Sequence, residues 1–317
     1  MSSQPPEGPH ARSPQRVWRE RLAALGFHPS RRLGQNFLLD ANLARALVRD
    51  AGVGAGDFVL EVGPGLGFLT RPLLEAGARV LAVEIDGRLL ELLREDLGDH
   101  EGLELVGADV LAGKHELDPR VRGALPHSGP WRLVANLPYS ISAPLLALLG
   151  ELPCPPTAVD VLVQLEVAER LCAQPGTRAW GPLGVRLQAA YESGLGRRLG
   201  PAQFWPRPQV DSAVVQLRRR LDAPAGDQQA RLSDLVTGLF HRRRQKLLRV
   251  LGDLLGSRET AAGLLAELEI DPGLRAETLE VETLRALAES PTWRARREGS
   301  TPPGPPPTGD RGRGPQS

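Results

Sequence analysis

Two cysteines in 317 residues, Cys154 and Cys172, can form neither a disulfide framework nor a metal-ligand set. The six histidines are scattered, and no pair stands at ligand spacing, so no bound metal is expected. No run of eighteen uncharged apolar residues occurs, which argues against a membrane-spanning helix. Lysine is almost missing as well. Lys114 and Lys246 are the only two, so positive charge falls to arginine, which grips phosphate bidentately and stacks on bases. A general arginine bias of the source would produce the same ratio.

What is present reads as an ordinary soluble chain, 41% hydrophobic and 24% charged, long enough for one large domain and a smaller one. The net charge of +1 conceals a division. Residues 51–160 carry 16 acids against 8 bases, and residues 181–250 carry 13 bases against 5 acids. One stretch repels polyanions and the other attracts them. Residues 1–16 are rich in Ser, Pro and Gln and are expected to be disordered, as is the Pro/Gly-rich tail within 296–317. The arginine-bearing, acid-poor start also fits a transit peptide; the alternative is a cytoplasmic protein with a disordered extension.

The patterning predicts an α/β fold. Apolar runs at Phe58–Val62, Arg79–Val83, Leu103–Val106, Arg132–Ala135, Val159–Leu165 and Ala213–Leu217 are expected strands. Helices are expected at 17–25, 40–50, from about Phe68, from about Ser142, at 166–172 and at 182–192. Beyond Asp227 the pattern is helical throughout, with helices expected at 230–240, 242–255, 259–268 and 282–289. The expected division is 17–225 for an α/β domain and 226–295 for a helical one.

Chemistry-bearing residues gather where strands end. Gly63-Pro64-Gly65-Leu66-Gly67 follows the first strand as a tight turn that lets backbone approach a ligand. The dinucleotide fingerprint requires a third glycine where Phe68 stands, which argues against NAD and a nicotinamide oxidoreductase. Glu84 closes the second strand, placed to accept from both hydroxyls of a ribose, and Asp109 follows the third, placed to accept from an adenine amine. The fourth strand delivers Asn136-Leu137-Pro138-Tyr139. Pro138 restricts Leu137 to extended geometry, turning its carbonyl out beside the Asn136 carboxamide. Two acceptors then hold one exocyclic amine, and Tyr139 offers a stacking face. A strand-ending turn capped by Asn would read the same way. Gly34-Gln35-Asn36-Phe37-Leu38 reads as a flap over a ligand or as a turn capping a helix. Phe204-Trp205 reads as part of the site or as a hydrophobic plug, and His241 through Lys246 as a polyanion contact or a solvated helix face.

Taken in order, Gly34 to Leu38, Glu61 to Gly65, Val83 to Asp86, Asn136 to Tyr139 and Phe204 to Ser212 make the chain resemble the ribosomal RNA adenine N6,N6-dimethyltransferases of the KsgA type, over about residues 30–290. The resemblance implies a Rossmann-like S-adenosylmethionine-dependent methyltransferase domain with a smaller C-terminal helical domain. It implies cofactor contacts from Asn36, Leu38, Gly63, Gly65, Glu84, Asp109 and Asn136. Asn136, Leu137, Tyr139 and Phe204 would serve catalysis, with Tyr139 and Phe204 sandwiching the target base. Arg242, Arg243, Arg244 and Lys246 would bind RNA, although the family often reads Arg-Arg-Lys-Thr where this chain has Arg243-Arg244-Gln245-Lys246. The implied substrate is a pair of adjacent adenosines near the 3′ end of 16S ribosomal RNA in an immature small subunit, each dimethylated; for the oligomeric state, a monomer is the default expectation. Alternatives are an Erm-type enzyme acting on large-subunit RNA, and an RNA-binding assembly factor with dispensable catalysis. A DNA adenine methyltransferase would usually carry Pro-Pro at Leu137-Pro138.

Overall fold

Strand Phe58–Val62, apart from Glu61, is apolar and largely buried, which suits the middle of a parallel sheet covered on both sides. A computed structural model of the chain describes residues 18, 20–23, 26–30, 32–113, 116–297 and 299. The tails expected to be disordered, 1–16 and 300–317, lie outside the described residues, as do Arg31 and Lys114. Of the helix expected at 17–25, residues 18 and 20–23 are described and helical.

The chain divides into two compact units. The first comprises the chain up to Cys172 together with Tyr191–Ala223. In chain order it contains β1 (Phe37–Leu38), α1 (Ala41–Ala51), β2 (Phe58–Val62), α2 (Thr70–Glu75), β3 (Arg79–Glu84), α3 (Gly87–Leu97) and β4 (Leu103–Gly107). It continues through β5 (Leu111–Gly113), β6 (Glu116–Leu117), α4 (Pro119–Ala124), β7 (Arg132–Asn136), α5 (Ser142–Leu149), β8 (Ala158–Gln164) and α6 (Leu165–Leu171). After an excursion through α7 (Pro182–Ala190) in the second unit, it closes with β9 (Tyr191–Leu199), β10 (Phe204–Trp205) and β11 (Ser212–Arg219).

Seven strands form one sheet in the order β4-β3-β2-β7-β8-β11-β9. The first five run parallel; β11 is antiparallel to β8, and β9 is antiparallel to β11. The chain moves outward from β2 to β4 and then returns to β7 on the other side of β2. The β2–β7 boundary is therefore the switch point where open α/β sheets bind ligands at their carboxyl ends. Local signals set the helix starts: the Asp40 carboxylate accepts from the amides of Asn42 and Leu43, and Asp86 from that of Arg88. β1 pairs with β10, so Phe37 lies opposite Trp205 and Leu38 opposite Phe204.

Strand β9 falls where the sequence predicts the end of a helix and then irregular chain. Its residues alternate poorly and include Gly194, Gly196, Arg197 and Arg198, so propensity alone disfavours it. Pairing along β11 supplies what propensity lacks, and the edge position leaves its arginines in solvent.

The second unit holds α7, then α8 (Gly226–His241), α9 (Leu247–Leu255), α10 (Arg258–Glu267), α11 (Val281–Glu289) and α12 (Pro291–Arg297). Its core joins Trp180, Val185 and Ala189 to Leu235, Leu239, Leu251, Leu284 and Trp293. Residues 173–190 thus belong with the later helices, where the sequence reading placed them in the α/β domain. Burial of Trp180 decides this, and no composition break marks it. The helix expected over 242–255 begins only at Leu247: residues 242–246 form the turn between α8 and α9, and α9 starts afresh with Lys246 as its N-cap.

One buried acid of the sheet is paired with a cation. Asp160 on β8 is 6% exposed and accepts from Arg218 at 2.9 Å through both guanidinium nitrogens, and from Gln216 at 3.2 Å. Burial raises its pKa, with Arg218 opposing the rise. Arg218→Met leaves that carboxylate buried without its cation. The arginine is itself 41% exposed, so the expected loss of unfolding free energy in urea titration is moderate, about 1–3 kcal/mol.

Candidate functional site

Four strand ends and one flap converge on a cavity of about 290 Å³ in the first unit. Gly63 and Gly65 come from the turn after β2, Glu84 from the end of β3, Asp109 from the loop after β4, and Asn136 through Tyr139 from the end of β7. Gly34 to Leu38 line it from the flap.

Three close approaches make these segments one object. At Gly34, with φ +66°, an added Cβ would lie 3.0 Å from the Tyr139 amide nitrogen. At Gly63, with φ +69°, it would lie 3.0 Å from Pro138 Cγ, and at Gly65, with φ +58°, 2.9 Å from the Phe37 ring. The flap, the glycine turn and the Asn136–Tyr139 loop are thus packed against each other at distances a side chain would forbid.

Polar groups are oriented within this frame. Asn136 Nδ2 donates to the Asn36 carbonyl at 2.8 Å, which leaves its Oδ1 as an acceptor. Leu137 donates its amide to Leu162 at 3.1 Å, while its carbonyl receives no hydrogen bond from the described residues. The Tyr139 hydroxyl and Ser212 Oγ lie 2.7 Å apart, anchoring the ring; burial pushes the phenol up, so it stays protonated. Glu84 is 4% exposed and accepts from the Gly65 amide at 3.1 Å and the Asp86 amide at 2.9 Å. Burial raises its pKa, and those amide bonds oppose the rise. Each oxygen retains a lone pair for a hydroxyl donor. Asp109 Oδ1 accepts from the Leu111 amide at 3.0 Å.

All nine residues that the sequence singled out in these segments line the one cavity: Asn36, Leu38, Gly63, Gly65, Glu84, Asp109, Asn136, Leu137 and Tyr139. Phe204 does not. Its side chain is 4% exposed, packed in the core with Leu38, Leu199 and Val214, because β10 pairing turns it inward beneath the flap. The aromatic expected to flank the target base therefore supports Leu38 instead. Its neighbour Trp205 lies against Phe37, with ring centroids 6.1 Å apart. The four basic residues from 242 to 246 belong to the second unit. There Arg242 pairs with Asp253, and Arg243 lies 3.7 Å from Glu277. Among the described residues no group of three or more His, Cys, Asp or Glu is placed to hold a metal, and no helix is long and apolar enough to cross a membrane.

One cavity-lining acid escaped sequence reasoning. Glu61, in the middle of β2, is 1% exposed and its Oε2 has no hydrogen-bond partner. Burial raises its pKa to about 8, the nearby Glu84 charge adds to the rise, and Thr70 opposes it. The available signal was an acid inside an apolar strand, which costs stability unless something requires it.

The linkage has a definite sign. An acid whose folded pKa exceeds its unfolded one takes up a proton on folding, so its contribution to stability falls as pH rises between the two values. For Glu61 that window runs from 4.5 to about 8. The ligand-free protein should lose stability across it, with Glu61 contributing a slope of up to about 1.4 kcal/mol per pH unit. Glu61→Gln should flatten the dependence of melting temperature on pH between 5 and 8, read by scanning calorimetry.

Comparison with known proteins agrees with this geometry. The family model described as ribosomal RNA adenine dimethylase matches residues 26–290. A protein of Phenylobacterium zucineum named ribosomal RNA small subunit methyltransferase A is 41% identical over 282 residues, covering 88% of this chain and 93% of the relative. Its namesake in Leifsonia xyli is 42% identical over 280 residues, covering 85% and 95%. Among solved structures, the 23S rRNA methyltransferase ErmE superposes with a TM-score of 0.61 at 29% identity, covering 80% of this chain and 98% of that one. A dimethyladenosine transferase from Plasmodium falciparum superposes with a TM-score of 0.67 over 82% and 98%; at 20% identity it supports the fold alone. With the model matching all but the ends of the chain, this protein belongs to the ribosomal RNA adenine dimethylase family.

Proposed function

We propose that Asn136, Leu137 and Tyr139 present the amino group of a ribosomal RNA adenosine to S-adenosylmethionine held in the cavity. As a member of its family the chain is an S-adenosylmethionine-dependent ribosomal RNA adenine dimethyltransferase. The residues present fit that cofactor. Glu84 and Asp109 give the cavity acceptors suited to a cationic, hydroxyl-bearing ligand, and Glu61, held protonated by burial, would ionise beside a cation. Glu84, held by two backbone amides, has free lone pairs for ribose hydroxyls, and Asp109 has one oxygen for an adenine amine. Gly63 and Gly65 line the cavity with backbone, and their lack of a Cβ lets Pro138 and Phe37 pack directly on the turn. Asn36 and Leu38 close over it from the flap.

When bound, the cofactor supplies an electrophilic methyl group on a sulfonium. The protein's task is to make an adenine amine nucleophilic, since the lone pair of that amine is delocalised into the ring. Asn136 Oδ1 and the Leu137 carbonyl accept its two hydrogens and draw the nitrogen toward tetrahedral geometry, which frees the lone pair. Tyr139 stacks on the base and holds its plane. No strong base is needed, because the proton can leave to solvent after transfer; the rate comes from positioning and electrostatics. After one methylation the amine keeps a single hydrogen, so one acceptor falls idle in the second round. The observation that carries this reading is the Asn136-to-Asn36 bond, which commits the amide nitrogen and leaves the oxygen for substrate.

The substrate pair is proposed to be two adjacent adenosines near the 3′ end of 16S ribosomal RNA, met in an immature small subunit by a monomer in the cytoplasm. Relatives at 39–42% identity carry the name of small-subunit enzymes, which favours this over an Erm-type large-subunit target. Incubating immature small subunits, large subunits and naked RNA with labelled cofactor should place label on those adenines alone; label in large-subunit RNA would overturn the assignment. Asn136→Ala should lower the single-turnover methylation rate by about 10²-fold or more, with cofactor affinity measured alongside by calorimetry. Tyr139→Ala should weaken capture of the target base by about 1–3 kcal/mol, read as the change in kcat/KM for RNA.

A further inference from the structure

Glu61 takes no part in gripping ribose, adenine or target amine, yet it is the most deeply buried acid of the cavity. It stands in β2 beside Ala82 of β3, and its chain neighbours Leu60 and Val62 are buried apolar residues. Its Oε2 meets no donor, and the Thr70 hydroxyl, also buried, lowers the pKa without completing a hydrogen bond. The charged group that acts on it, Glu84 of β3, has the same sign. Bases on the elements beside it are committed elsewhere: Arg132 of β7 to Asp57, Arg71 of α2 to Asp96, and Arg79 of β3 over the Phe58 ring. Glu75 of α2 faces Arg45. The other charged groups on the cavity wall, Asp109 and Arg32, are exposed. Strand order gives Glu61 a definite place. Asp109 follows β4, Glu84 ends β3 and Asn136 ends β7, and β2 lies between β3 and β7. If these residues meet adenine, ribose and target amine in that order, β2 underlies the methionyl end of the cofactor. That end carries two cationic groups, the sulfonium bonded to ribose and methyl, and the α-ammonium.

We infer that Glu61 is a proton-exchanging counter-ion for the cofactor: its carboxyl O–H breaks as the cationic methionyl end arrives, the proton leaves to solvent, and the carboxylate balances the new charge. The inference rests on the proposed placing of S-adenosylmethionine in this cavity. With no cation beside it, burial keeps Glu61 neutral, with a pKa of about 8. An opposite charge brought into the same poorly screened space favours the ionised form. The free protein is thereby spared a fixed buried charge, and the ion pair forms only in the complex. The sign of the linkage follows: binding that releases a proton tightens as pH rises, up to the pKa of the free protein, and levels above it.

The test is calorimetric titration of the full chain with S-adenosylmethionine, S-adenosylhomocysteine and adenosine, each in phosphate and in Tris at about pH 7. The difference in heat between the two buffers counts the protons released. Binding of S-adenosylmethionine should release about half a proton or more from Glu61, seen as the amount by which Glu61→Gln lowers the count. Glu84 and the cofactor's own amine are common to both proteins and cancel in that difference. Across about pH 6 to 8 the variant should also lose a rise in affinity of up to about tenfold per pH unit. Adenosine keeps the base and ribose but no cation, and should draw no proton from Glu61. Release with both S-adenosyl compounds makes the ammonium the partner, and release with S-adenosylmethionine alone makes it the sulfonium; either result supports the inference. Equal counts in the two proteins, or equal counts with adenosine and S-adenosylmethionine, would overturn it. Infrared difference spectroscopy of the unsubstituted protein needs no variant: a protonated-carboxyl stretch should be lost on adding cofactor, and its persistence would also overturn the inference. Failure of S-adenosylmethionine to bind at all would sink the placing of the cofactor itself, so the two failures are distinguishable.

Discussion

The hydrogen bond from Asn136 Nδ2 to the Asn36 carbonyl decides which end of the carboxamide faces the cavity. An unconstrained amide could turn either its NH2 or its oxygen toward a substrate amine, and only the oxygen is productive. The acceptor that sets this choice comes from a flap one hundred residues earlier in the chain. The flap therefore does more than line the cavity: it fixes the orientation of the Asn136 carboxamide. Its own position depends on β1–β10 pairing and on the contact of Gly34 with the Tyr139 backbone.

From that constraint the other features of the site follow as supports. Leu162 receives the Leu137 amide, so the neighbouring strand β8 holds the loop while the Leu137 carbonyl stays available. Ser212 on β11 meets the Tyr139 hydroxyl, tying that strand of the sheet to a ring that lines the cavity. Phe204 lies under Leu38 as part of the core. Three acids, Glu61, Glu84 and Asp109, also line the cavity. Glu84 is satisfied by backbone amides, whereas Glu61 is buried with an oxygen unmet. Such an imbalance is the kind of stability cost that active sites retain.

Charge is separated along the chain in keeping with this division of labour. The stretch from 51 to 160 that forms the cavity floor is acidic, as befits a site for a cationic cofactor. The basic stretch supplies β9, β11 and the first helices of the second unit. Within that unit, internal ion pairs engage two of the arginines that look most conspicuous in sequence, and Lys246, Arg249 and Arg258 are left exposed.

The sequence by itself determined the order of the central strands' residues, the glycine turn, the strand-end acids and the Asn136–Tyr139 loop. Each is written in a short run whose residue types admit few conformations: Gly at positive φ, Pro after Leu137, an acid at the tip of an apolar strand. Tertiary structure alone decided what depends on distant partners. It turned Phe204 inward, moved 173–190 into the helical unit by burying Trp180, and made a strand of Tyr191–Leu199 through pairing with β11. It also isolated Glu61 in the cavity floor and chose which arginines are free. The physical reason is common to all of these: backbone geometry is largely a local property, while burial and ion pairing are set by residues that meet only when the chain has folded.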